Sequence, residues 1–238
     1  MTHLAYPNES AVYRRARNAL LTDEIALRKQ IEAVAAQRRA LPPGGEVAQD
    51  YIFERIGANG MPEKVDMSKL FGQHSTLIIY SFMYGPDRQM PCPMCTHLLD
   101  SVNGAAKHVT QRAALYVVAK SPISRLVDRA RDRQWNHLQL LSTAGNSYNA
   151  DYFGDSAKVP HEIRKRRGAT SGSDWDETMF NVFHLDNGKI RHFWGSELTW
   201  APEEPSQHHR SGDAANALWG LLDMTPEGRG QFMPKLAY

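Results

Sequence analysis

Apolar and polar positions alternate along this chain with two different periods, and the switches between them mark out its elements. From about Ser10 to Ala40 the spacing is helical: Val12, Ala16, Ala19 and Leu20 form one stripe, which Leu27, Ile31, Val34 and Leu41 continue. The other face carries Arg14, Arg15, Arg17, Arg28, Lys29, Arg38 and Arg39. Arg38-Arg39 suit the negative end of the helix dipole, and Pro42-Pro43-Gly44-Gly45 stops the helix. Glu24 and Glu32 interrupt the positive charge, and no Trp or Phe marks the stripe. The pattern therefore predicts a helix that packs on its own domain or on a second subunit, with a homodimer favoured, rather than on a membrane or nucleic acid.

The remaining chain changes period repeatedly. Tyr51-Ile52-Phe53 reads as a short strand and Met67 to Phe71 as a helical turn. Leu77, Ile78, Ile79, Tyr80 and Phe82 form an unalternating β-branched and aromatic run, which predicts a central strand buried on both faces. The spacing then becomes helical, with Cys95, Leu98, Leu99, Val102, Ala106 and Val109 on one face. Ala113–Ala119 is a second buried strand, Ser124–Gln134 a helix with Leu126, Val127 and Ala130 inward, and His137–Leu141 a third strand. Strands alternating with helices imply crossover connections in one sheet. Ser142 to Thr178 is polar and too long for a structureless loop, so short helices or an active-site cover are expected there. Its aromatics (Tyr148, Tyr152, Phe153) suggest a cluster, and Arg164-Lys165-Arg166-Arg167 reads as a solvated face. Met179 to Leu185 and Ile190 to Trp194 read as a hairpin about Asp186-Asn187-Gly188-Lys189, and Asp213 to Asp223 as a closing amphipathic helix.

The expected architecture is α/β, a mixed central sheet with helices on both faces. Residues 1–45 form an N-terminal helical extension and residues 46–238 the main domain. Composition does not disturb this picture: 238 residues, 42% hydrophobic and 23% charged, suffice for a sizeable core. A net charge of +2 gives no electrostatic case for nucleic acid. The start, MTHLAYPNES, lacks the basic and apolar regions of a signal peptide, and no apolar run approaches a membrane span. A cytoplasmic protein in a reducing compartment is expected, where a disulfide is transient and catalytic.

The chemistry concentrates at the two cysteines, Cys92 and Cys95, spaced C-P-M-C between the central strand and the helix. Pro93 suits the first helical position, because its missing N–H has no intrahelical partner to lose. That places Cys92 at the N-cap, facing free backbone N–H groups and the positive end of the dipole, so its pKa should fall. Cys95 lies one turn further in, on the apolar face. The expected roles are Cys92 as nucleophile and Cys95 as resolving thiol. Buried inert cysteines are the plain alternative. A zinc site needs four ligands; no second C-x-x-C exists, and His97, His108, His208 and His209 lack ligand spacing, so no metal is expected. The substrate groove is expected around Tyr84 and Pro86 of the Tyr84-Gly85-Pro86-Asp87 turn, Pro91, Pro93 and Met94 around the cysteines, and Trp194 at the end of the hairpin.

RRALPPG at the end of the first helix, IIYSFMYGPD, CPMC before a helix, NVFHLDNGKIRHFWGSE and LWGLLDMTPEGRG together resemble a bacterial family of thioredoxin-like proteins labelled dithiol-disulfide isomerases or oxidoreductases. The resemblance spans nearly the whole chain and implies a thioredoxin-like fold and a thiol-disulfide oxidoreductase without a bound cofactor. Its partners would be a disulfide-containing protein or small thiol and a cellular dithiol reductant. Two departures stand out. Thioredoxin relatives carry Trp before the first cysteine, where this chain has Pro91, and a cis-proline before the strand facing the motif, where it has Asp176-Glu177-Thr178. A peroxiredoxin-like peroxidase would carry P-x-x-x-T-x-x-C; neither cysteine register supplies it, which leaves peroxidase as the alternative activity. A non-catalytic binding module is the third reading.

Overall fold

Residues 4–166, 176–205, 207 and 215–238 are described by a computed structural model. The chain divides into two units, Met1–Pro43 and Gly44–Tyr238. The first is built on α1 (Ala11–Arg39), whose N-cap Ser10 accepts the Tyr13 N–H at 3.1 Å and whose last turn carries Arg38 and Arg39. Salt bridges Arg14–Glu9 and Arg17–Glu24 decorate it, and none of its residues is buried.

The second unit begins with an antiparallel hairpin, β1 (Ile52–Ile56) and β2 (Pro62–Asp66), and a short helix, α2 (Met67–Leu70). Next come β3 (Thr76–Ser81), α3 (Pro93–Val109), β4 (Ala114–Ala119), α4 (Ile123–Arg133) and β5 (Gln139–Ser142). Two short helices, α5 (Tyr148–Asp151) and α6 (His161–Arg166), occupy the expected long connection, and Arg167 lies outside the described residues. The hairpin β6 (Met179–Asp186) and β7 (Lys189–Gly195) follows, then a 3-10 turn (Glu197–Trp200) and α7 (Ala217–Leu222). Asn187 and Gly188 both take positive φ, 50° and 79°, as a two-residue hairpin turn requires. Asp213 and Ala214, expected in the last helix, lie outside the described residues.

Among the described residues the sheet has seven strands in the order β2-β1-β5-β4-β3-β6-β7. The strands β3, β4 and β5 run parallel, and β6, β7, β1 and β2 add antiparallel pairs. A strand, a helix carrying the motif, two further parallel strands, then an antiparallel hairpin and a final helix make a thioredoxin-like fold. β3 lies between β4 and β6, and its alternate side chains feed two separate cores. Tyr80 packs with Leu98, Leu99, Leu115, Val117, Leu126 and Trp135 beneath α3 and α4. On the other face Leu77 and Ile79 pack with Phe53, Met67, Leu70, Phe71, Tyr148 and Phe183. Burial on both faces is why no polar residue interrupts this strand.

The β1–β2 hairpin was the element least visible in the sequence. In β2 only Val65 is buried, so the strand carries no alternating apolar signal, and its partner supplies the definition. Among the described residues no helix is long and apolar enough to cross a membrane.

Candidate functional site

The site is built where β3 hands over to α3. After Ser81 the chain leaves the sheet, makes a loop from Met83 to Pro91, and returns, since the Cys92 N–H donates to the Met83 carbonyl at 3.0 Å. Cys92 has extended backbone angles (φ −61°, ψ 123°) and is the N-cap of α3, with Pro93 in the first turn. Its carbonyl accepts both the N–H and the hydroxyl of Thr96, each at 2.9 Å. The helix therefore starts where the proline and the change of period place it.

The two thiols are unequal. Cys92 is half-buried and Cys95 is only 3% exposed; both are free. The Cys92 pKa is lowered to about 6, first by the hydrogen bond from the Cys95 thiol, then by the N–H groups of Cys95 and Met94 and the charge of Arg88, against the opposing effect of burial. The same shared proton holds Cys95 well above the ordinary thiol value, and burial adds to the rise. Hydrogen bonds from the Tyr80 hydroxyl and the Met83 N–H act on Cys95 in the opposite direction. At neutral pH the reduced pair is thus a Cys92 thiolate accepting a proton-bearing Cys95 thiol, an arrangement suited to nucleophilic attack by the first sulfur.

The loop ahead of Cys92 has no regular structure, yet distant side chains hold it in place. The Arg125 guanidinium donates to the carbonyls of Gly85 (3.0 Å), Gln89 (3.1 Å) and Arg88, and lies 4.0 Å from the Tyr84 ring centroid. The Ser121 hydroxyl donates to the Tyr84 carbonyl and itself accepts from Arg125 at 3.2 Å. From the other side the buried Asp176 accepts the Gly85 N–H and pairs with Arg88 at 3.5 Å. Removal from water raises the Asp176 pKa, although the Gly85 N–H and the Arg88 and Lys120 charges oppose that. Gly85 is needed for this approach: a Cβ there would come within 2.5 Å of the Asp176 carboxylate.

Sequence reasoning missed these supports. Ser121 and Arg125 start the helix that follows β4, and loops at the C-terminal ends of adjacent parallel strands lie side by side. That rule is the signal by which the 84–89 and 121–125 segments could have been paired. Asp176 and Thr178 occupy the segment where the thioredoxin relatives carry proline. Thr178 donates its hydroxyl to the buried Tyr80 hydroxyl at 2.7 Å, so Tyr80 is part of the site as well as of the core.

The other expected site residues are spread across the rim. Tyr84 and Pro91 are buried, Pro86 and Pro93 exposed, and Met94 half-buried. Trp194 stands opposite Val182 on β7, two strands from β3, and is half-buried. Among the described residues no three His, Cys, Asp or Glu side chains form a group that could hold a metal ion; His208 and His209 lie outside them. His97 instead pairs with the Asn216 side chain at 2.9 Å and meets the Trp219 ring edge-on.

Residues 3–237 match the family described as "Bacterial protein of unknown function (DUF899)". The chain belongs to this family. No curated protein matches it. Among solved structures it is similar to reduced Prx3 from Vibrio vulnificus in complex with H2O2, at 9% identity and a TM-score of 0.43, covering 71% of this chain and 91% of that one. It is also similar to the reduced 2-Cys peroxiredoxin of Plasmodium vivax, at 14% identity and 0.42, covering 72% and 94%. A third is BsSco, a member of the Sco family of cytochrome c oxidase assembly proteins, at 12% identity and 0.35, covering 65% and 88%.

Proposed function

We propose that this protein is a thiol-disulfide oxidoreductase of a reducing, cytoplasmic compartment. The observation that carries the reading is the inequality of the two thiols. Cys92, at the helix N-cap with a pKa lowered to about 6 by the Cys95 thiol and two backbone N–H groups, is ionised at neutral pH. Its sulfur attacks one sulfur of a substrate disulfide, and the departing sulfur leaves with the electron pair and takes up a proton. Cys95 then loses its proton and attacks Cys92, breaking the mixed disulfide and releasing the second substrate thiol. The substrate gains two electrons and the protein is left with a Cys92–Cys95 disulfide, which a cellular dithiol reductant reopens.

The half-buried Cys92 sulfur, more open than Cys95, and the loop beside it (Pro86, Pro93, Met94, with Arg88 charged alongside) favour a disulfide-bearing peptide or small thiol disulfide as substrate. The same thiolate, flanked by backbone N–H groups and Arg88, also supports attack on a peroxide oxygen as a second reading. There an alcohol or water leaves, Cys92 becomes a sulfenic acid, and Cys95 closes the disulfide with loss of water.

The test is a redox titration of the pair with mass-spectrometric identification of the bond, alongside alkylation of the reduced protein across pH. A reversible Cys92–Cys95 couple is expected, with Cys92 alkylation rising through about pH 6 rather than the ~8.5 of a free thiol. Cys95→Ser should accumulate a mixed disulfide, and Cys92→Ser should trap nothing. Faster alkylation of Cys95 would reverse the roles. Cys92 sulfenic acid formed by peroxide far faster than attack on any disulfide would make the peroxidase reading the better one, and a pair that never cycles would leave a binding module.

A further inference from the structure

Resolution demands that Cys95 become a thiolate at the moment when it has lost its best partner. In the reduced protein its S–H is held by the Cys92 thiolate; once Cys92 is tied to substrate, that acceptor no longer carries charge. Cys95 remains 3% exposed, away from the water that would otherwise solvate a forming negative charge. A buried hydrogen-bond donor aimed at its sulfur would meet the need.

Tyr80 stands there. It lies on β3, 1% exposed, in the same packed cluster as Cys95 and Leu98 of α3. Its hydroxyl and the Cys95 thiol are close enough within that cluster for each to bear on the other's titration. Phe180, opposite it on β6, packs on the ring with centroids 4.6 Å apart and fixes its orientation. The Thr178 hydroxyl donates to the Tyr80 oxygen at 2.7 Å, which fills an acceptor position and leaves the phenolic proton available to a second acceptor. We propose that Tyr80, oriented by Thr178 and Phe180, is a catalytic hydrogen-bond donor to Cys95 that stabilises the resolving thiolate as it forms. The proposal rests on the dithiol reading above.

The proton count is consistent with this role. Tyr80 keeps its proton throughout, and burial holds its phenol well above the ordinary value, so it stays a donor wherever the protein is active. The proton lost by Cys95 is matched by the one that the departing substrate thiolate takes up. The titratable groups facing Cys95 are Cys92 from the cap of α3 and Tyr80 from β3, while Arg88 of the loop acts on Cys92. Tyr80 reaches Cys92 only through the shared proton and at longer range, so a change at Tyr80 should move the second step more than the first.

The experiment is single-turnover reaction of the full-length reduced protein with dithiobis(nitrobenzoate), which releases one coloured thiolate on attack by Cys92 and a second on resolution by Cys95. Wild type should give two equivalents in two phases. Tyr80→Phe, which removes only the hydroxyl, should change the first phase by less than about twofold, slow the second about tenfold at neutral pH, and displace its pH midpoint upward by about one unit. Thr178→Val, which keeps Tyr80 but removes its orienting donor, should shift the second phase in the same direction by a smaller factor, about threefold. This variant also guards the test against misfolding of Tyr80→Phe. An unshifted pH profile of the second phase in both variants would overturn the proposal, as would equal slowing of both phases, which is what loosened packing would produce. A wild type that releases a single equivalent would instead overturn the dithiol reading on which the proposal stands.

Discussion

The loop from Met83 to Pro91 and the helix α1 reverse the usual association of regular structure with firm anchoring. The helix runs for 29 residues with a capped start and basic last turn, and it buries nothing; Leu27 and Ile31 of its stripe are 60% and 61% exposed. The loop has no repeating hydrogen bonds, yet Arg125, Ser121 and Asp176 reach it from outside and satisfy its backbone groups one by one. Local regularity comes from neighbours in sequence, whereas anchoring comes from contacts that exclude water. The Cys92–Cys95 pair hangs on the second kind. Cys92 is placed by a loop whose geometry depends on side chains far away along the chain.

The sharpest way to break this contrast is Arg125→Ala. It strips charged donors from three carbonyls and uncovers the Tyr84 ring, and the cost should be about 2–4 kcal/mol by chemical denaturation. Cys92 alkylation should lose its low-pH onset at the same time, since the loop no longer fixes the cap. A loss of stability with unchanged Cys92 reactivity would show that the loop does not set the thiolate. Gly85→Ala comes next: its methyl would press on the Asp176 carboxylate, and a loss of about 1–3 kcal/mol is expected.

Arg88→Met probes a smaller part of the same region. The Arg88 charge is the last of the named influences lowering the Cys92 pKa, so its removal should raise the alkylation midpoint by less than one unit. The sign is fixed: a lost cation disfavours thiolate, so reactivity falls below neutral pH and changes little at alkaline pH. Added salt should shrink the difference between wild type and variant. The smallest effect is predicted for Leu27→Ala in α1, within about 0.5 kcal/mol, as for an exposed position. A cost matching that of Arg125→Ala, or one that depends on protein concentration, would show that a second copy covers this stripe, as the homodimer expectation requires.

What the sequence by itself determined is the order of most elements and the place of the C-P-M-C motif. Runs such as Leu77 to Tyr80 and the 3.6-residue spacing from Cys95 to Val109 are properties of adjacent residues, and so is the helix start at Cys92-Pro93. Those signals are local, and they were enough to rank the two thiols by exposure. The tertiary structure alone decided what surrounds them. Asp176 meets Gly85 across 91 positions of sequence, Arg125 reaches Gly85 across 40, and Thr178 meets Tyr80 across 98. Nothing in the local pattern distinguishes Tyr80 from a purely structural aromatic or Arg125 from a solvated one. Strand β2 was invisible for the same reason, because pairing with β1 defines it while its own side chains mostly face water. Periodicity records which face of an element is buried; which distant group each face meets is set when the sheet assembles, through contacts that no stretch of sequence contains on its own.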